Sequence, residues 1–587
     1  MKKLFSTFVM LFMTAVLSAA PIGEQQARRV ASDFFAQGAT RAAASVELAW
    51  AGSALNDQAL SRATTDEALL YIYNRSDRKG FVIVAGEEGT TPIVAYSHDR
   101  AFEVENMAPG ARFILEGWLN ELAALRRGSF KAEPLAASRS VGEVVKHYET
   151  ALWNQDAPYN NEVPVIDGNR AITGCVATAL SILCYHHQYP AQSVGTAEAY
   201  TYEDPDRQTR SIEAWPLGHR YDYSKMLPDY SAGYTAEQAT AVATLMHDIG
   251  RSVKMNYHYV ESGANGVNAI QGIVDHFGYS KKALILQGDA YRRSEWADRL
   301  QENISTYGPT YFSGQSDRGG HAFILDGYTT TDYFHINYGW GGIDNGYYLL
   351  PAIEYSGAQD AFFYLEPDPD GESSYQDRMV LSSYYDSQTQ TVCQGLWSPV
   401  TKFEVGNTFA MRLGRIINGG STDFTGQVGL MLCDKQGTVK QSFGVFSLSA
   451  WPSYASGILP TIDVTLTEPL VEGDRLRICY KGAYSSGWQW AQRDTIDVVD
   501  ELILMASAEE AIEQVAFSYI KPDNQLSLNA PYPIQYTFKR KSDGHVIASG
   551  AGAAYEGITI DTSQCAKGEY LLLIASGGDA YTLEVVL

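Results

Sequence analysis

Cysteine is scarce in this chain, six among 587 residues, at positions 175, 184, 393, 433, 479 and 565. So few cannot frame a fold of this length, and folding must rest on apolar cores rather than on a disulfide framework. No two have the spacing of a zinc knuckle, which argues against a structural metal. Three of them, Cys393, Cys433 and Cys479, fall in a strand-rich stretch where one pair could bridge. Positive charge is also short: 44 Lys and Arg stand against 68 Asp and Glu, a net charge of -24. Phosphate surfaces repel such a chain, so neither nucleic acid nor an anionic membrane is expected as its main partner. Beyond the first twenty residues no apolar run is long enough to cross a membrane. No fixed-period repeat marks a solenoid.

What is present begins with a leader. Lys2 and Lys3 form a positive start, Leu4 to Leu17 an apolar stretch and Ser18-Ala19-Ala20 a small-residue cleavage site, so export and removal of residues 1–20 are expected. The remaining length implies roughly three to four domains. The 38 tyrosines and 52 glycines lean toward a β-rich exported protein. Residues 21–140 read as a small α+β unit with helices near 27–35 and 111–125 and strands near 69–73 and 80–85. That unit ends in a small, polar, Pro-containing linker at 131–140, suited to proteolytic cutting. Residues 141–367 alternate helices (176–185, 236–249, 267–277) with glycine-broken strands over 309–350. After Pro367-Asp368-Pro369-Asp370-Gly371 the pattern turns to short strands, suggesting one or two β-sandwiches over 368–505 and 506–587, with a linker helix at 506–512.

The chemistry centres on Ala171-Ile172-Thr173-Gly174-Cys175-Val176-Ala177, a cysteine at the start of an apolar helical run. Unsatisfied N–H groups and the helix dipole at such a position are expected to lower the thiol pKa and favour the nucleophilic thiolate. A buried core thiol is the blander reading, and it stands for Cys184, on the opposite helix face. A thiolate nucleophile needs a base and an orienting group. His186 lies about 16 Å along the helix axis from Cys175 and cannot serve, nor can His187. His321, in Gly319-Gly320-His321-Ala322-Phe323, opens a half-buried strand, and Tyr333 to Asn337 reads as its hairpin partner. A turn centred near Thr329 would set His321 opposite Asn337. The order Cys175, His321, Asn337 fits the spacing of papain-like sequences. An oxyanion would rest on the Cys175 N–H and on the side chain of Gln155 in Trp153-Asn154-Gln155-Asp156.

Gly174-Cys175-Val176-Ala177-Thr178-Ala179, Gly319-Gly320-His321-Ala322-Phe323 with Asp326-Gly327, and Asn337-Tyr338-Gly339-Trp340-Gly341-Gly342 closely resemble the C10 family of cysteine peptidases. The resemblance covers about 141–365 and, more loosely, 21–135, which looks like that family's inhibitory propeptide. It implies an α+β, papain-like peptidase domain made as a secreted zymogen, with endopeptidase activity favouring a bulky apolar residue just before the cleaved one. Its partners would be protein or peptide substrates and its own propeptide, and it needs no cofactor and no metal. By the same resemblance Cys175 is the nucleophile, His321 the base, Gln155 the oxyanion donor and Asn337 the orienting group. Trp340 would shield the His–Asn pair and Gly320 would touch the substrate backbone. The family's best-known member carries tryptophan where this chain has Tyr338, and its substrate-contacting serine falls near Val267, so Tyr338 and Val267 are expected on the substrate walls. The segment Phe102 to Met107 falls where that member's propeptide plugs the active site.

Other classes compete with this reading: a different Cys-His amidase or transferase, such as a cell-wall amidase or transglutaminase, or a catalytically dead adhesion protein. The closing strands 557–587 loosely resemble C-terminal sorting domains of exported proteins in Gram-negative Bacteroidetes, and an ordinary Ig-like module explains them equally well.

Overall fold

The computed structural model describes residues 21–36, 45–55, 68–127, 140–316, 319–400, 402–505, 516–520, 524–576 and 579–587. The leader, most of the 131–140 linker and the helix expected at 506–512 lie outside the described residues. The chain divides between Gly371 and Glu372 into two compact units.

The first unit is α+β. In chain order its main elements are α1 (Glu24–Ala36), β1 (Val46–Gly52), β2 (Leu70–Arg75), β3 (Phe81–Ala85), β4 (Ile93–Ser97), α2 (Pro109–Arg126) and β5 (Val144–His147). Then follow α3 (Cys175–His187), α4 (Ala236–Ser252), α5 (Gly266–Phe277), β6 (Leu284–Gln287), α6 (Arg293–Tyr307), β7 (Thr310–Ser316), β8 (Gly319–Thr329), β9 (Tyr333–Asn337), β10 (Gly346–Leu349) and β11 (Ala358–Phe363). Local chemistry marks several of these ends. Pro109 opens α2, where a missing N–H costs nothing. Thr235 and Gln238 close a capping box on α4, and the Asn265 side chain accepts the Asn268 N–H at the start of α5. Helix α3 is buried without a break from Val176 to Cys184, so its weak amphipathicity is that of a core helix.

These eleven strands form one sheet, in the order β1-β2-β3-β4-β10-β9-β8-β7-β11-β6, with β5 added onto β8. The N-terminal strands therefore continue the sheet of the region that holds Cys175 and His321. The joint is the pairing of β4 with β10, Tyr96 with Tyr347 and Ala95 with Tyr348, and the Tyr96 and Tyr347 rings stack at 5.2 Å. Helix α2 is fastened to the end of β10, to Ala352 beyond it and to Arg293 of α6. Its Trp118 indole donates to the Leu349 carbonyl at 2.8 Å, and Glu121 pairs with Arg293 at 2.7 Å while accepting the Ala352 N–H. One apolar cluster spans both parts, from Phe34, Trp50 and Tyr71 through Phe113 and Trp118 to Phe323 and Tyr348.

The second unit is all β. A four-stranded sheet around Met379–Ser382 and a five-stranded sheet around Phe424–Cys433 and Arg475–Gly482 enclose one apolar cluster. A three-stranded sheet (Ala516–Ile520, Gln525–Asn529, Ile558–Asp561) and a four-stranded one closing with Asp579–Val586 accompany a second. All six cysteines are free thiols, so no bridge joins any two of Cys393, Cys433 and Cys479. Cys433 and Cys479 lie on neighbouring strands, where the ladder pairs Cys433 with Arg475 and Cys479 with Gly429. Among the described residues no helix is long and apolar enough to cross a membrane.

Candidate active site

Cys175 is the first residue of α3, and the residue before it has to be glycine. Gly174 sits at φ 86°, and a Cβ there would lie 2.7 Å from Met255 Sδ and 2.8 Å from the Ser262 carbonyl. Thr173 donates its N–H to the Gln155 carbonyl at 3.1 Å, which ties the Gln155 segment to the residues entering the helix. Gln155 itself is buried.

His321 arrives from the opposite side, on β8, paired with Gly314 of β7. Cys175 and His321 line the same cleft of about 680 Å³, together with Val176, Gly320, Ala322 and the loop at 263–266. The cleft thus lies between the N-terminal end of the helical half and the edge of the strands that carry the histidine.

The thiol does not behave as its helix position suggests. Burial pushes the Cys175 thiol up from its ordinary value, against the pull of the backbone N–H groups of Ala322, Val176 and Cys175 itself, and the Glu261 carboxylate adds to the rise. Burial likewise holds the His321 imidazole below its ordinary value, with Glu261 acting the other way. The expectation of a lowered Cys175 pKa is corrected here because desolvation outweighs the helix end.

The expected facing of His321 and Asn337 is also corrected. Asn337 pairs with Ile324, three residues further along β8. The turn between the strands lies at 330–332, with Asp332 in the left-handed region, and a bulge between Leu325 and Gly327 shifts the register once more. Asn337 is fully buried: its amide nitrogen donates to Thr150 Oγ1 and the Ala151 carbonyl at 2.8 and 2.9 Å, and its oxygen accepts the Gly339 N–H. Thr150 passes the chain on to Asp326, whose other oxygen meets the His335 ring. Burial pushes the His335 imidazole down, but the Asp326 carboxylate, with Asp99 and Glu149 beside it, more than offsets this and leaves it above its ordinary value. His147, Asp326 and His335 offer donor atoms within 4.8 Å of one another, a grouping that could hold a divalent cation. Three separate strands supply it, so no local motif announces it.

The substrate-wall expectations divide. Gly320 is exposed on the cleft. Trp340 is half-buried against the main core, beside a turn that Gly341 pins by donating to the Trp153 carbonyl at 2.9 Å. Tyr338 is buried rather than open, edge-on to Phe323 and Tyr348, with Gly110 of α2 so close that a Cβ would stand 2.6 Å from its ring. Val267 lies in the first turn of α5, where its neighbours Gly266 and Asn268 line the cleft and it does not. Sequence reasoning misses Glu261, Tyr311 and Asp360, which the fold brings to the cleft from a loop and from the strands β7 and β11.

It also misses Asp344. This buried carboxylate accepts the N–H groups of Glu103 and Ala108, each at 2.8 Å, and so fastens the segment 103–108 to the turn after Trp340. Burial pushes Asp344 up to about 7, the two N–H groups draw it back, and Glu103 adds to the rise. An acid raised in the folded state stabilises most fully below its ordinary value of 3.8, and that contribution is lost as the pH climbs toward about 7. The stability of wild type relative to Asp344→Asn is therefore expected to fall between about pH 4 and pH 7. Thermal midpoints of the two proteins across that window check it, and a pH-independent difference would contradict it.

Comparison with known proteins finds two families along the first unit. Residues 153–348 match the peptidase C10 family and residues 19–121 match the Spi protease inhibitor family. The thiol protease/hemagglutinin PrtT of Porphyromonas gingivalis is 30% identical over 369 residues, covering 60% of this chain and 41% of that protein. The chain thus spans less than half the length of that relative. Streptopain of Streptococcus pyogenes is 29% identical over 301 residues, covering 48% of this chain and 74% of streptopain. A solved fragment of Prevotella intermedia prointerpain A is 26% identical at a TM-score of 0.45, covering 51% of this chain and 96% of the fragment.

Proposed function

We propose that this chain, a peptidase C10 homologue with a Spi-type inhibitor region ahead of its peptidase region, is the latent precursor of an exported cysteine endopeptidase. The observation that carries the reading is the shared cleft of Cys175 and His321, reached from two halves of the fold, beside a region that continues the same sheet. In the uncut chain burial disfavours the charged form of both groups, and the inhibitor region is held by Asp344, Trp118 and Glu121. Cutting between about 128 and 141 frees that region and lifts α2 from the strands of the cleft, where Phe113 packs on Gly314. Loosening of those strands admits water, and the thiolate and imidazolium form as the desolvation that opposed both charges is relieved.

Cys175 attacks a peptide carbonyl. The oxyanion rests on the Cys175 N–H and the Gln155 amide, His321 protonates the leaving amine, and water releases the acyl-enzyme. Asn337 acts as a positioning residue: it fixes the turn 337–342 through Thr150, Ala151 and Gly339 and supports the histidine strand from its neighbour. Export rests on Lys2, Lys3 and the small residues Ser18-Ala19-Ala20.

The test is substrate choice after processing. The processed chain is expected to hydrolyse casein in the presence of a chelator and to leave peptidoglycan intact, while the precursor lacking only its leader is nearly inert. Release of peptidoglycan fragments without casein cleavage would favour the amidase reading, and full activity without processing would remove the latency.

A further inference from the structure

Asp360 lines the same cleft as Cys175, and the acyl-transfer chemistry makes no use of it. It lies on β11 between two paired strands, opposite Ser313 on β7 and Gln287 on β6. Its side chain joins the lining beside Tyr311 and Ser313. One carboxylate oxygen is wholly buried and makes no hydrogen bond to the described residues. Burial pushes Asp360 up to about 7, and among the described residues the charged group acting on it is Asp289, of the same sign. A buried acid with no counter-charge is costly unless something supplies one.

The surrounding lining fits a cationic guest. Glu203 and Glu261 add negative charge, while Asp204 is taken up by Arg210 at 2.6 Å. Among the described residues Lys254 is the one lysine or arginine of this lining, and it leans toward Glu198 at 3.8 Å. Val176, Ala264 and Ala322 give the cleft apolar wall, and Tyr311 lies near both the thiol and the acid. A long aliphatic stem with a charged head matches such a wall and acid.

We propose that Asp360 makes this flank of the cleft a pocket for a lysine or arginine side chain of the substrate, rather than one for bulky apolar residues alone. The inference rests on the peptidase reading. Arginine is favoured over lysine, because its delocalised guanidinium is more weakly hydrated than an ammonium and loses less on burial.

The experiment uses the processed full chain and fluorogenic peptides that differ at one position, one, two or three residues before the cut. Each position carries in turn arginine, lysine, leucine, norleucine or citrulline, the last being a neutral mimic of arginine. At one of these positions arginine is expected to exceed citrulline and norleucine by about tenfold or more in kcat/KM, the scale of a single buried charge pair. Asp360→Asn is expected to lower the arginine-to-leucine ratio at that position by a similar factor, and Asp360→Glu to retain most of it. Equal rates for arginine and citrulline at all three positions would overturn the inference while leaving the peptidase reading intact. So would a loss in Asp360→Asn that is the same for every peptide, which marks a structural role. If no peptide is cleaved, the peptidase reading itself fails and the inference with it. The arginine–citrulline comparison needs only wild-type protein and stands even if Asp360→Asn does not fold.

Discussion

Cys175→Ala is expected to give a folded precursor that neither processes itself nor hydrolyses peptides, a loss on the order of 10⁴-fold or more. The size follows from the role: without a nucleophile no acyl-enzyme forms, and the remaining oxyanion donors and cleft contacts accelerate hydrolysis only weakly. Stability should change little, because Cys175 is a helix-start residue and alanine suits the helix. Circular dichroism, the unfolding midpoint and the size of the protein recovered from the medium report on folding. Peptide hydrolysis and cleavage within 128–141 report on function. Residual activity at more than a hundredth of the wild-type rate would assign the chemistry elsewhere, and none of the other five cysteines lines the cleft with His321.

The second large effect concerns latency. Phe113 on α2 is buried with its ring edge over Gly314, so close that a Cβ on Gly314 would stand 2.1 Å from it. Gly314 is the residue paired with His321, so the helix presses on the strand beside the base. Phe113→Ala removes that contact and leaves a cavity, at a cost of about 3–5 kcal/mol. Applied to the docked against the released inhibitor region, that is a rise of more than about 100-fold in the open fraction. Faster self-processing of the freshly isolated precursor is expected, and Phe113→Leu should give a smaller change in the same direction. Unchanged processing in both variants would mean that α2 is not what holds the chain latent.

Much of the site is legible in the sequence. Gly174 marks a place where backbone must approach closely, Gly319 takes a positive φ of 119° just before the histidine, and the apolar run after Cys175 announces the helix. Asn337 is identifiable from its strand, but its partner is not. Register depends on where a turn closes and on a single bulge, and Asp332 in the left-handed region with the break at Leu325 to Gly327 moves it by three residues. A helix end alone predicts a lowered thiol pKa, whereas the charge state of Cys175 depends on burial by segments distant in sequence. Helix α6 leaves little trace, because its apolar positions reduce to Trp296, Ala297, Leu300 and Ile304 among charges. The pairing of β4 with β10 and the grip of Asp344 on Glu103 and Ala108 join residues more than two hundred positions apart, and no local pattern encodes such contacts.

The most direct measurement is the intact mass of the precursor and of the processed chain after treatment with a peptidyl epoxide, followed by peptide mapping. The expected result is one adduct, on Cys175, in the processed chain, with the precursor labelled many times more slowly. Equal labelling of both forms, an adduct on another cysteine, or no adduct in the processed chain would contradict the account.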